Sequence, residues 1–239
     1  TIRRHIPLER TTVASNSPYY RELKQYDKPT VFFIDMPDMT QSIVYSYVKG
    51  DPVDDKVYRH ASRLFSVYFG GDMSSLMFQE IREFRSFAYR TSGRYQLPNH
   101  AHKGTAGSFT AMLSTQSDKT LDALGVLDSL IRKMPLKPER VEAIKQSLAN
   151  RINNDYPSFR SLSEKVASAR MEGFDRDPAE EFLRDIATMD MEDISHFYQE
   201  QICGRPVVYV IAGNRKRIDM KKLAEYGTIV KVKKKDIYK

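Results

Sequence analysis

Within residues 68–95 of the chain, YFGGDMSSLMFQEIREFRSFAYRTSGRY, the hydrophobic period changes abruptly. That change limits what it can fold into, because a three-to-four residue period needs a helix and a two-residue period needs a strand with one exposed side. The pair Gly70-Gly71 opens the stretch; with φ > 0 accessible to both, it can end one helix and reverse the backbone into the next. Asp72 or Ser74 then serves as N-cap of the second helix. In that helix Met73, Met77, Ile81 and Phe84 recur at three- and four-residue spacing as an apolar stripe, which turns Arg82 away from the core. From Phe87 onward, Phe87, Tyr89, Thr91 and Tyr95 fall on one face and Ala88, Arg90, Ser92 and Arg94 on the other. A guanidinium at a helix end and a phenol at the start of a strand can converge on one point.

The remaining chain reads as layers around this switch. Residues 1–28 are polar, with Pro7, Pro18 and no clean period, as in a linker or arm, and the domain proper spans 29–239. Residues 31–34 and 42–48 are β-rich and read as a hairpin around Pro37 and Asp38. A helix comes next, from about Asp54 with Val57, Ala61, Leu64 and Tyr68 on one face, then the motif helix, the strand from Phe87 and a second strand over 108–113. Leu121, Leu124, Leu127, Ile131 and Met134 form a helical stripe that stops at Pro135. Pro138 opens another helix, Phe159, Leu162, Val166 and Ala169 continue the period to Gly173, and a short helix covers 180–187. Asp190 and Asp193 cap the helix of Ile194 and Phe197. Strands return at 207–212 and 228–232. Strands at both ends with helices between them indicate an α+β fold, a two-layer sandwich whose mostly antiparallel sheet is packed by helices.

At residues 68–95 the sequence resembles the C-terminal domain of the insulinase (pitrilysin-like) zinc metallopeptidases, in which a glycine-rich turn, a helix, an Arg-Glu pair and a Tyr occur in this order. The segment VFFIDMPDMTQSIVYSYVKG is similar to that family's opening hairpin with its Gln, here Gln41, and the likeness runs from about Lys28 to the end. The resemblance implies a clamshell of two halves closing on a peptide, one with zinc and the other with an Arg and a Tyr that reach the substrate. Carried over, Tyr89 is the catalytic group, donating to the oxyanion, and Arg82 is the substrate-binding group holding a carbonyl or carboxylate. It also implies a zinc-bearing domain or subunit of the same family as partner and a peptide as substrate. Read without the family, Tyr89 is a packed strand aromatic and Arg82 a surface ion-pair partner of Glu83 or Glu80.

No metal site is expected in this chain. The family's H-x-x-E-H, two helical His with a Glu as general base, is absent from all five His positions: His5, His60, His100, His102 and His196. His100-Ala101-His102 has no Cys, Asp or Glu beside it to complete a tetrahedral set, and His60 and His196 are single helical residues. No zinc or other cofactor is therefore expected here, and the chain alone is expected to be inactive. With 239 residues, 41% apolar and 29% charged, it is long enough for one good core, and no apolar run approaches a membrane span. The start, without Met or a hydrophobic leader, reads as a processed or excised piece. Cys203 is alone, so no internal disulfide forms. The net charge of +7 collects in Arg3, Arg4, Arg10 and again from Arg215 to Lys235; with no basic-glycine-aromatic strand motif, it reads as a solvated or docking face rather than a nucleic-acid surface. Two alternatives to a half-protease remain: a non-catalytic structural paralogue of the same family, and a basic nucleic-acid-binding module.

Overall fold

The computed structural model of the chain describes residues 22–53, 56–98, 104–155, 157–171 and 174–237. Among these, one mixed sheet is built from β1 (Thr30–Asp35), β2 (Gln41–Pro52), β3 (Ala88–Gln96), β4 (Ala106–Gln116), β5 (Val208–Gly213) and β6 (Thr228–Val232), in the spatial order β3-β4-β2-β5-β1-β6. β4 pairs antiparallel with both β2 and β3, and β2 with β5, whereas β1 lies parallel to β5 and β6. The α+β, mostly antiparallel arrangement is the expected one.

The first two strands do not form the expected hairpin. Residues 36–40 connect them, but β5 is inserted between, facing Phe32 with Val210 on one side and Tyr45 with the same Val210 on the other. Turn residues at Pro37 and Asp38 report a change of direction and not adjacency. The continuous apolar runs of β1 and β5, TVFFID and VYVIAG, favour interior positions in parallel register.

Among the described residues, α-helices with buried side chains pack over one face of the sheet. The α-helices are α1 (Lys56–Ser66), α2 (Thr120–Arg132), α3 (Val141–Asn154), α4 (Leu162–Met171), α5 (Pro178–Thr188), α6 (Met191–Gln201) and the one-turn α7 (Met220–Leu223) and α8 (Lys234–Ile237). The start of α6 obeys its sequence signal: the Asp190 carboxylate accepts from the Glu192 N–H at 2.7 Å while Asp193 accepts from the Asp190 N–H at 2.9 Å. Beneath the helices, Ser42, Val44, Ser46 and Val48 of β2 point into the core. Phe65, Phe69, Phe109 and Phe197 stack there, with ring centroids of successive pairs 4.9–5.8 Å apart. His60 belongs to this layer as well, buried against the Phe182 ring with Nδ1 2.8 Å from an Asp185 oxygen, whereas His196 is exposed beside Glu200.

Among the described residues, the other face is left partly open to solvent. One row across it runs Val230, Phe32, Val210, Tyr45, Met112 and Ser92, one residue from each strand in register. Tyr26, in the irregular segment ahead of β1, stands edge-on to Phe32 and Tyr47, and the Tyr47 hydroxyl donates to the Lys24 carbonyl at 3.0 Å. Tyr45 remains 51% exposed. α4 is likewise uncovered: none of its residues is buried, and Phe159, Leu162 and Val166 of the apolar stripe face solvent.

Candidate functional site

Arg82 and Tyr89 are brought together, though by a route the simple periods do not contain. After α1 the helix widens into a π-turn, Val67–Gly71, and the motif helix is itself π-helical over Phe78–Glu83. Each adds a residue to a turn and so re-aims the chain beyond it. Asp72 fixes the start between them, its carboxylate accepting from both the Ser74 N–H at 2.9 Å and the Ser74 hydroxyl at 2.6 Å. At the far end the Phe84 N–H donates to the Gln79 carbonyl at 2.9 Å and the Ser86 N–H to the Arg82 carbonyl at 3.0 Å. Ser86 closes the helix in the left-handed region, φ 53°, a position that usually goes to glycine.

Gly70 and Gly71 do not use positive φ. Among the described residues only Gly104, Gly204 and Gly227 do so among glycines. Gly70 is needed for close approach instead. It forms a bridge to Gly93 of β3, and a Cβ on Gly70 would lie 2.2 Å from the Gly93 nitrogen. A Cβ on Gly93 would in turn sit 2.8 Å from the Met77 sulfur and 3.1 Å from the Phe69 ring. Two glycines thus clasp the π-turn to the sheet edge, and the motif helix is carried with it. Sequence reasoning passed over Gly93, although a glycine inside a strand pattern is the usual signal for close backbone approach.

A β-bulge sets Tyr89 apart. Ala88 faces Thr115 and Arg90 faces Ser114, so β3 spends two steps where β4 spends one, and Tyr89 is the extra residue. It therefore does not share a face with Thr91 and Tyr95 as the alternation implied. Tyr95 is buried, its hydroxyl donating to Gln201 Oε1 at 2.7 Å, and burial pushes its pKa well above the usual phenol value. Tyr89 is 82% exposed. Bulges beside binding sites commonly re-aim one side chain in this way. The helical stripe departs similarly: Met77 and Ile81 are fully buried, but Met73 and Phe84 are exposed, because the widened turn shifts the period away from 3.6 at both ends of the stripe.

The Arg82 guanidinium lies between two rings, 4.7 Å from the Phe78 centroid and 5.7 Å from that of Tyr89. Its ion pair with Glu83 is long, 3.7 Å, and both partners are nearly half exposed. Glu80 is instead engaged by Lys137 and Arg85, at 2.8 Å each. Arg82 and Tyr89 line two adjoining cavities. One, of 430 Å³, opens along the β3 edge with Gly70, Met73, Phe78 and Arg90; the other, of 550 Å³, includes Gln41, Ser86, Ser114 and Lys119. The Gln singled out with the resemblance thus faces the same place, its Oε1 accepting from the Ser114 hydroxyl at 3.4 Å. Chemically the site offers a guanidinium, a free phenol and an amide, all donors suited to a carbonyl or carboxylate.

No group of three or more His, Cys, Asp or Glu among the described residues is arranged to hold a metal ion. The donor set does not fit the family's zinc, and His100 and His102 lie outside the described residues.

The fold defines a class: a layered α+β domain in which one mixed sheet is packed by helices. Residues 8–148 match the family profile described as the peptidase M16 inactive domain, and the chain belongs to that family, the C-terminal, non-zinc domain of the insulinase-like peptidases. The fold is similar to a peptidase M16 inactive domain from Pseudomonas fluorescens (TM-score 0.65, 19% identity, 82% of this chain and 47% of that one). It is similar also to the periplasmic protease PqqL from Escherichia coli (TM-score 0.61, 16% identity, 84% and 22%). A chain of complex III2 from Candida albicans resembles it as well (TM-score 0.59, 12% identity, 84% and 50%). The chain spans half or less of the length of these proteins. No curated protein sequence matches it significantly.

Proposed function

We propose that this domain is the non-zinc half of a clamshell peptidase, supplying Arg82 to hold a peptide carbonyl or carboxylate and Tyr89 to stabilise the oxyanion, while zinc sits on another domain or subunit. The observation that carries the reading is the convergence of Arg82 with an aromatic that a bulge lifts 82% into solvent. A tyrosine with only a packing role is ordinarily turned inward, and nothing in the sheet requires this one to face out. As water adds to the scissile carbonyl its oxygen gains charge, and the Tyr89 O–H, brought against it by closure of the two halves, strengthens its hydrogen bond at that moment. Arg82 acts earlier, on the bound ground state.

Steady-state kinetics on the assembled enzyme test this. Tyr89→Phe is expected to lower kcat by about 10²- to 10³-fold with KM nearly unchanged, and Arg82→Ala to raise KM as well. Full activity of Tyr89→Phe overturns the catalytic assignment. The uncovered α4 favours a second reading, an assembly module of the same family, in which partner binding persists and both substitutions are silent.

A further inference from the structure

A second concavity, which the Arg82–Tyr89 pair does not line, wraps the outer edge of β3 at Gly93. It has a volume of 670 Å³ and takes Arg63 from α1, Arg94 from β3 and Arg151 from α3, with Tyr45 and Met112 from the open face, and no Asp or Glu lines it. Arg63 stacks on the Phe182 ring at 4.2 Å, which fixes its direction. Arg151 reaches Asp72 only at 4.0 Å, and that carboxylate already accepts from Ser74 and Ser147. Arg94 is exposed, and its side chain has no hydrogen-bond or ion-pair partner among the described residues. Arg90, also exposed, stands between this concavity and Arg82.

The edge itself is closed here. Gly93 is bridged to Gly70, and the Tyr95 N–H donates to the Ser66 hydroxyl at 2.9 Å. By the alternation of a strand, Thr91 is the last outward-facing backbone position before that closure. A peptide that leaves Arg82 and Tyr89 along β3 therefore gains nothing from main-chain pairing beyond Thr91 and must be held by its side chains.

We propose that this concavity is an acid-selective subsite: a peptide engaged at Arg82 and Tyr89 places an Asp or Glu side chain among Arg63, Arg94 and Arg151. The inference rests on the peptide-binding reading above. At about 3.3 Å per extended residue, and with one residue consumed by the bulge, the acid falls about four residues from the carbonyl contacted by Tyr89. Arg94, with no partner to give up, makes the largest contribution.

The test is fluorescence anisotropy on the full chain with two labelled, end-blocked peptides of about a dozen residues, differing only in Glu or Gln about four positions to each side of a central Leu-Leu. At low salt the Glu peptide is expected to bind about tenfold more tightly, with the ratio shrinking as salt is raised. Arg94→Gln should bring the two peptides to one affinity, and Arg94→Lys should restore part of the difference. Arg82→Gln should weaken both peptides and keep their ratio. Equal binding of the two peptides by the unaltered chain, or a ratio that survives Arg94→Gln, overturns the subsite while leaving the Arg82–Tyr89 reading intact. If neither peptide binds, both fall together. An oligothymidylate that binds more tightly than the Glu peptide and competes for Arg94 also overturns it, in favour of a phosphate site.

Discussion

At the scale of single residues, the motif helix is held by one carboxylate between two cations. Glu80 accepts from Lys137 Nζ and from the Arg85 guanidinium, each at 2.8 Å, with its own side chain only 16% exposed. The hydrogen bond from Lys137 is the main reason its carboxyl titrates below the usual glutamate value of 4.5; burial opposes it and Arg85 adds to it. A depressed carboxylate contributes stability that is present above the unfolded pKa and is lost as pH falls through the lower folded value. Glu80→Gln is therefore expected to cost about 1 kcal/mol at neutral pH, with the gap to the unaltered chain closing below pH 4.5. Urea titrations at neutral pH and at about pH 3 check it, and a gap that does not change with pH sinks it. The sequence offered Glu80 or Glu83 as partner of Arg82 and could not choose. The choice depends on Lys137, which is distant in sequence and arrives only when residues 133–137 fold back over the helix.

At the scale of elements, what was legible is what local period and capping control, and what was not legible is where a residue is inserted. The capping box at Asp190, the strand Thr228–Val232 and the arrest of α2 before Pro135 all arise from residues within one or two turns of each other. The bulge at Tyr89 and the first π-turn leave no such local mark, since each is stabilised by a partner elsewhere: Thr115 and Ser114 for the bulge, Gly93 for the π-turn. The Gly70–Gly93 clasp is the element on which placement of Arg82 depends, and it yields a ranked prediction. Gly70→Ala drives a Cβ into backbone that cannot rotate away, and is expected to cost about 3 kcal/mol. Gly93→Ala meets first the end of the flexible Met77 side chain, and is expected to cost about half as much. Denaturant midpoints of the two variants decide the order. If Gly70→Ala is the milder, the π-turn slides along the edge and does not act as a clasp.

At the scale of the whole molecule, the described residues cover one face of the sheet with helices and leave the other partly open to solvent. The helical face closes a core of aromatic and aliphatic side chains, but Phe32, Tyr45, Val210, Met112 and Val230 cross the other face in a single row, and among the described residues Tyr26 stands edge-on over Phe32. Tyr45 and Val230 are exposed and Phe32, Val210 and Met112 half-buried, and an apolar row of this kind is a candidate interface. The cations beside it, Arg90 and Arg94, keep that face soluble and give it a sign, so an acidic or mixed surface is the better complement. The isolated chain is accordingly expected to self-associate at roughly tens of micromolar or to bind a zinc-bearing domain of the kind proposed above, and Tyr45→Glu, at the centre of the row and half exposed, is expected to weaken either association by about tenfold. Tyr45 contributes little to the core, so its melting temperature should hold, which separates loss of an interface from loss of the fold. Sedimentation velocity across a concentration series measures the effect. A chain that stays monomeric at all concentrations, and whose affinity for the proposed zinc-bearing partner is unchanged by Tyr45→Glu, would show that this row is not the interface, with the uncovered α4, its Leu162 and Val166, and the preceding Phe159 as the next surface to substitute.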